Sequence, residues 1–353
     1  MEIKEIQKLY GSIPQAGALI DQLRKKSVKT IFLEGLVASS APLFFAGVSQ
    51  RMKSRGCFLF ILNDADEAGY FYHDLTQLMG TEQVLFFPSS YRRAVKYGQR
   101  DAANEILRTE VLTRLSPQPS TLFIVTCPEA IAERVVSQQQ LEERTLQLTV
   151  GQTIDLMEVE KILRDYGFTE TDYVYEPGQF AVRGSILDVY SFSGELPFRI
   201  DFFGDDIDTI RTFEVDSQLS HERKETVTIV PEFSGQVTSK VPVLQSFPDD
   251  TVLVTRSMDF LRDAIARIYE TGFSKQTMIE RLEDATEAEQ EEIRREMQRD
   301  CQLITGTQFA KDAARFRQVI LKSQSINLQP STLNLQPSTL NPHLQHYSPA
   351  VVP

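Results

Sequence analysis

One stretch of the sequence has the register of a phosphate-binding loop. Such a loop follows a buried strand and reads G-x-x-x-x-G-K-[ST], because backbone amides cradle phosphates, the lysine neutralises them and the hydroxyl holds magnesium. Residues 35–42 read GLVASSAP, so Gly35 fits the first position. Ser40 replaces the second glycine, Ala41 the lysine and Pro42 the hydroxyl residue, and proline also lacks an N–H donor. We predict no ATP chemistry here, whether this is an inactive phosphate loop from an ATPase ancestor or a plain strand-to-helix turn.

Few other side chains have types and spacing suited to catalysis. Before the C-terminal tail at residues 323–353, the only histidines are His73 and His221, and the chain has no Ser-x-x-Lys, His-Glu-x-x-His or nucleophile-elbow pattern. A group of four aspartates could suggest a metal, but it lacks the spacing and terminal glutamate of a calcium loop. Aspartates at a glycine-containing hairpin are the simpler interpretation, so we predict no catalytic residue, metal or cofactor. These aspartates are Asp201, Asp205, Asp206 and Asp208.

Residues 30–136 alternate apolar runs with segments of helical spacing. Continuous apolar strands separated by helices are typical of a parallel, doubly wound sheet covered on both faces. We therefore predict an α/β domain over residues 1–145, of degenerate P-loop-NTPase type. Buried strands are expected at residues 30–36, 57–62, 84–88 and 121–126, with helices up to residue 51, at about 64–79 and 101–115, and from Pro128.

Residues 146–231 have a different pattern, which predicts a small inserted α+β domain. A helix at about 156–166 precedes strands of alternating polarity, and Gly194 and Gly204 supply turns. The remaining strands are expected at residues 180–183, 186–190, 198–203 and 207–213.

The strand at residues 198–203 places a charged and aromatic set on one face. Alternate residues of a strand share a face, so Arg199, Asp201 and Phe203 lie together, opposite two apolar residues that form the natural core face. An exposed aromatic side chain beside arginine is typical of interface hot spots. The alternative is an aromatic lid packed under a neighbouring helix, with Arg199 paired only to Asp201.

Residues 232–322 return to mixed structure and are expected to complete the first domain. A strand is predicted at residues 251–255, and helices at about 257–271 and 275–300. The second helix is rich in Glu, Arg and Gln, which indicates a solvated face. Residues 323–353 contain the repeat NLQPSTL, whose prolines forbid a continuous helix, so we predict a disordered tail outside the natural fold.

Two long motifs within residues 146–231 carry a family resemblance. Residues 176–190 read EPGQFAVRGSILDVY, and residues 197–211 read PFRIDFFGDDIDTIR. Together they strongly resemble the second domain shared by the excision-repair protein UvrB and the transcription-repair coupling factors (Mfd). The order of domains fits the same families over about residues 1–322, in the amino-terminal part of a coupling factor.

The resemblance implies that this domain recruits UvrA, the damage-recognition ATPase. The family's contact residues carry over onto Arg183, Arg199 and Phe203. Full-length coupling factors are ATP-dependent DNA translocases that also bind RNA polymerase. The domains for those activities are absent from this chain, so RNA polymerase and DNA are expected as partners only through them.

The segment before residues 97–106, which read YGQRDAANEI, separates the two relatives. UvrB resembles the chain at these residues but carries a long aromatic hairpin before them, whereas residues 88–96 are short. The short segment favours a resemblance to the coupling factors over UvrB, and it argues against insertion between DNA strands. Arg92, Arg93 and Lys96 form a small basic loop, read as solvated, with a DNA contact as the alternative.

Composition limits the remaining possibilities. The 353 residues carry a formal net charge of -12, which disfavours general DNA binding. Cys57, Cys127 and Cys301 are far apart and odd in number, which argues against a disulfide framework and favours the cytoplasm. No signal peptide or membrane-spanning stretch is evident, so we predict no membrane association. A non-catalytic repair adaptor is the favoured function, and a nucleotide-binding or DNA-binding module is the alternative.

Overall fold

The structure is a computed structural model, and it describes most of the chain in seven stretches. These are residues 3–25, 27–52, 56–90, 101–115, 121–233, 240–272 and 302–322. The basic loop with Arg92, Arg93 and Lys96, the helix predicted at residues 275–300, and the repeat tail lie outside the described residues.

The described residues contain ten helices longer than four residues and sixteen strands. The helices are α1 (Ile3–Ser12), α2 (Pro14–Arg24), α3 (Ser40–Arg51), α4 (Ala65–Met79), α5 (Ala102–Arg114), α6 (Pro128–Ala132), α7 (Gln138–Glu143), α8 (Leu156–Asp165), α9 (Met258–Gly272) and α10 (Gly306–Ala313). The strands are β1 (Thr30–Glu34), β2 (Cys57–Ile61), β3 (Val84–Phe87), β4 (Leu122–Thr126), β5 (Arg134–Val136), β6 (Leu146–Thr149), β7 (Thr169–Glu170), β8 (Gln179–Arg183), β9 (Ile186–Val189), β10 (Phe198–Phe203), β11 (Asp206–Phe213), β12 (Ser220–Lys224), β13 (Thr226–Ile229), β14 (Lys240–Pro242), β15 (Val252–Thr255) and β16 (Arg317–Lys322).

The first sheet has six strands in the order β1-β16-β15-β2-β4-β3, and every pair in it is parallel. Its central strands β2 and β4 are buried along their whole length, and the Phe58 and Phe123 rings stack at 5.1 Å. Cys57 lies in this core, and burial raises the pKa of its thiol to about 12. The predicted parallel α/β architecture is confirmed. The tertiary structure inserts β15 and β16 between β1 and β2, a long-range arrangement that no local pattern encodes.

Strand β1 corrects one expectation. It was predicted as a buried strand over residues 30–36, but it ends at Glu34 and alternates between exposed and buried positions. The reason is that only one face of this edge strand packs on the core: Ile31 and Leu33 are buried, whereas Thr30, Phe32 and Glu34 are exposed. Phe32 is 41% exposed there, and the Lys322 ammonium lies 4.4 Å from the centre of its ring.

The second sheet also has six strands, in the order β12-β11-β10-β9-β8-β7, and it is antiparallel except for the pair β7–β8. Its inner face packs with α8 in a core that includes Phe180, Leu187 and Ile200. Helix α8 begins at Asp155, whose carboxylate accepts a hydrogen bond from the Met157 amide at 2.8 Å. In chain order this sheet falls between β4 and β15 of the first sheet. The boundaries at residues 145/146 and 231/232 stay a prediction.

Candidate docking face

The outer face of the second sheet carries the predicted docking residues. The register of the strands aligns one residue from each of five neighbouring strands in a row across this face. The row is Ala181 on β8, Asp188 on β9, Arg199 on β10, Arg211 on β11 and Arg223 on β12. Arg199, Arg211 and Arg223 are direct neighbours in this row, and like charges opposite one another destabilise a sheet, so acidic side chains must offset them.

Asp188 supplies the central negative charge. Its side chain is fully buried, and both oxygens accept hydrogen bonds from Arg199, at 2.7 Å from Nε and 2.8 Å from Nη2. Arg183, at the end of β8, donates from Nη2 to the same carboxylate. The structure therefore brings Arg183 and Arg199 together at one carboxylate, although 16 positions separate them in sequence.

The two arginines differ in how far they reach the surface. The Arg199 side chain is 15% exposed, lies 4.4 Å from the centre of the Phe213 ring and donates to the Gln218 carbonyl at 3.1 Å. Hydrogen bonding to Asp188 raises the pKa of its guanidinium group. The Arg183 side chain is 35% exposed, lies 4.9 Å from the centre of the Tyr173 ring and donates to the Asp172 carbonyl at 3.0 Å. Arg183 is thus the more accessible of the two.

Phe203 ends β10 and projects into solvent. It is 82% exposed, whereas its neighbour Phe202 is 5% exposed in the core. A tight turn follows, and Gly204 adopts φ 64°, a left-handed value that suits glycine. The alternative of an aromatic lid under a helix is therefore wrong. By strand rise, Phe203 lies roughly 13 Å from Arg199 along the same face.

The predicted alternative partner of Arg199 is also corrected. Asp201 is bonded by Arg211 and by the Thr209 hydroxyl at 2.7 Å, not by Arg199. Register explains this, because Asp188 is directly opposite Arg199 and Thr209 is directly opposite Asp201.

Two other aspartates of this hairpin, Asp205 and Asp206, make contacts that support the fold. The Asp206 carboxylate accepts a hydrogen bond from the Thr153 hydroxyl at 2.5 Å, and the Asp205 carbonyl accepts one from the Ile154 amide at 2.7 Å. Within the described stretches, no three His, Cys, Asp or Glu side chains are grouped so that they could hold a metal ion.

The degenerate phosphate-loop register lies on the other sheet, between β1 and α3. Gly35 has φ 86°, as a tight turn after a strand requires. The Val37 amide donates to the Ser40 hydroxyl at 2.7 Å, and that hydroxyl donates back to the Val37 carbonyl at 2.6 Å. Ala41 and Pro42 are buried against the core. The Ser40 hydroxyl thus occupies the Val37 N–H, a backbone donor that a bound phosphate would need.

Sequence reasoning missed two residues of the docking face. Asp188 stands in an apolar run, ILDV, where its signal was a lone carboxylate on the face opposite Leu187 and Val189. Tyr173, which is 50% exposed, precedes the predicted strand and lines an open cleft with Arg183 and Asp172.

Comparisons with known proteins show what the segment that carries this face is similar to. A model of the UvrB interaction domain family matches residues 146–234. The transcription-repair-coupling factor of Escherichia coli (strain K12) is 36% identical over 198 residues, which are 56% of this chain and 17% of that protein. The factor of Bacillus subtilis (strain 168) is 27% identical over 207 residues, 58% of this chain and 17% of that protein.

A third relative extends the match further along the chain. The transcription-repair-coupling factor of Staphylococcus aureus (strain bovine RF122 / ET3-1) is 25% identical over 238 residues, 67% of this chain and 19% of that protein. The aligned part is thus under a fifth of each of these relatives' own length. Residues 146–234 match the UvrB interaction domain family, and over more than half of its length the chain is similar to transcription-repair-coupling factors, which supports an amino-terminal module of that kind.

Proposed function

We propose that this chain is a non-catalytic docking module that recruits UvrA in transcription-coupled nucleotide excision repair. The observation that carries the proposal is Phe203, a large aromatic side chain that is 82% exposed on a face rich in arginine. Exposing such a side chain without a partner forgoes about 1.5–3 kcal/mol of burial free energy. An aromatic anchor beside arginine is the composition that interface hot spots favour.

The charge of the face indicates what kind of surface the partner presents. The central row contains three arginines and one aspartate, whereas the whole chain has a net charge of -12. A locally positive patch on an acidic protein attracts an acidic surface of the partner. The rest of the molecule repels that surface, so the partner approaches in one orientation. We expect the UvrA surface to combine carboxylates with an apolar pocket for Phe203.

Binding of purified UvrA to the full chain tests this proposal. We expect the parent to bind, and Phe203→Ala to weaken binding by at least ~2 kcal/mol, as truncation of a hot spot does. Tyr70→Ala is the matched control. It removes another exposed aromatic ring, since Tyr70 is 77% exposed, but from helix α4, outside the second sheet. Equal loss in both variants, or no binding by the parent, would contradict the proposal.

We also propose that the loop after β1 does not bind nucleotide. The hydrogen bonds of Ser40 and the buried Ala41 and Pro42 support this, because they replace the lysine, the hydroxyl and one amide donor of a working loop. MgATP should leave the melting temperature of the chain unchanged. A clear upward shift, which ligand binding to the native state produces, would favour the nucleotide-binding alternative.

The aligned part is less than a fifth of each relative described above. We propose that contacts with RNA polymerase and DNA are made by other segments of such a protein, which works in the cytoplasm. None of the described helices is long and apolar enough to cross a membrane.

A further inference from the structure

The strongest unassigned feature of the docking face is the buried carboxylate of Asp188. It is fully buried, yet the two guanidinium groups bonded to it both belong to residues that reach the surface. A buried carboxylate is costly unless charged groups satisfy it, so removing either partner leaves an unmet charge. Asp188 therefore couples the geometry of Arg183 to that of Arg199.

The hydrogen bonds of each arginine show which one is free to bind a partner. Arg199 makes four hydrogen bonds, two to Asp188 and two to Gln218, which engage four of its five N–H groups. Arg183 makes two, to Asp188 and to the Asp172 carbonyl. Among the described residues, three N–H groups of Arg183 therefore lack an acceptor.

We propose that Asp188 is a positioning residue of the docking face, which holds the free edge of the Arg183 guanidinium toward an acidic group of the partner. Arg199 holds the Asp188 carboxylate in place through its two hydrogen bonds, an arrangement called the clamp below, and makes little direct contact with the partner. The proposal rests on the docking function proposed above, and it deepens that function by assigning different roles to its residues. The stacked Tyr173 ring and the Asp172 carbonyl restrain the outer side of Arg183.

Asp188→Asn tests this role, because it keeps the shape of the side chain and removes its charge. We expect UvrA to bind this variant about tenfold more weakly, since the Arg183 guanidinium loses its charged hydrogen-bond partner and must be ordered further on binding. Asp201→Asn is the matched control: it removes the same charge from the same face and leaves Arg183 and Arg199 in place. We expect its affinity to stay within about twofold of the parent.

A double-mutant cycle separates positioning from a general loss of stability. In an Arg183→Ala background, Asp188→Asn should weaken UvrA binding by no more than about twofold further, because the group it positions is gone. Additive losses, or an equal loss in Asp201→Asn, would overturn the proposal. If Asp188→Asn does not fold, Arg183→Lys replaces it, since lysine keeps the charge but lacks the planar fork that bonds Asp188. Parental affinity in Arg183→Lys would likewise overturn the role.

A second readout does not depend on UvrA. The Arg199 Nε–H bond to Asp188 should protect that proton from solvent exchange in NMR spectra of the chain, and Asp188→Asn should remove the protection. Unprotected exchange in the parent would overturn the clamp itself. If the parent fails to bind UvrA while this protection is present and is lost in Asp188→Asn, the docking function fails but the hold of Asp188 on Arg199 stands.

Discussion

At the scale of single residues, adjacent positions on β10 serve opposite purposes. Phe202 packs in the core of the second sheet and Phe203 projects from its outer face, because strand side chains alternate. The same chemical group therefore packs in the core at one position and, in the function proposed above, contacts the partner at the next. This separation allows the two contributions to be measured independently.

Truncating each phenylalanine should show the separation. We expect Phe202→Ala to lower the free energy of unfolding by about 3–5 kcal/mol, the usual cost of a large cavity in a core. Phe203→Ala should change the free energy of unfolding by less than about 0.5 kcal/mol, because an exposed side chain loses few contacts. Urea titration of both variants measures these differences, and a reversal of the order would contradict the burial described for β10.

At the scale of elements, helix packing on the parallel sheet depends on a close approach of α1 and α3. A Cβ atom added at Gly47 would lie 2.5 Å from the backbone nitrogen of Gly11 and 2.9 Å from the Gln7 carbonyl oxygen. These contacts are with backbone atoms, so a side chain could be admitted only if the helices moved apart. Glycine at this crossing is a packing requirement, although it lowers helix propensity.

Gly47→Ala should therefore destabilise the chain. We expect a loss of about 1–3 kcal/mol, the range for overpacking in a well-packed interior. Gly69→Ala in α4 is the matched control, because nothing lies within 4 Å of a Cβ atom placed there. There the substitution should stabilise by about 0.5–1 kcal/mol through helix propensity. Thermal or urea unfolding distinguishes them, and equal effects would contradict the close crossing.

At the scale of the whole molecule, the two sheets have separate cores in one interrupted chain. The first core joins residues 16–141 to residues 230–321, and the second comprises residues 148–229. Strand β6 pairs with β13 where the chain enters and leaves the second unit, from Leu146 opposite Ile229 to Thr149 opposite Thr226. Paired ends and a separate core are features of a unit that can fold alone.

Residues 146–231 should accordingly fold without the rest of the chain. We expect a cooperative urea transition and UvrA binding equal to that of the full chain, since the docking face lies wholly within this segment. The same fragment with Phe202→Ala is the control for a disrupted core. A non-cooperative transition in the unmodified fragment would show that the unit needs the first sheet, and would contradict the predicted domain boundaries.

The sequence by itself predicted the buried strands β2, β3, β4 and β15, most of the larger helices, and the core face of β10. The helix predicted at about residues 64–79 is α4, and Asp64 caps it by accepting a hydrogen bond from the Glu67 amide at 2.8 Å. Alternation along β10 placed Phe203 opposite the core. These features depend on neighbours in sequence, where propensity, capping and a two-residue period are sufficient.

Only the tertiary structure decided which distant groups meet. The exposure of Phe32 depends on which elements pack over β1, and such packing is a long-range property. The shared carboxylate of Asp188 depends on the register of three strands, β8, β9 and β10. Register is set by the packing of whole faces, so a lone aspartate in an apolar run could not reveal that it binds two arginines.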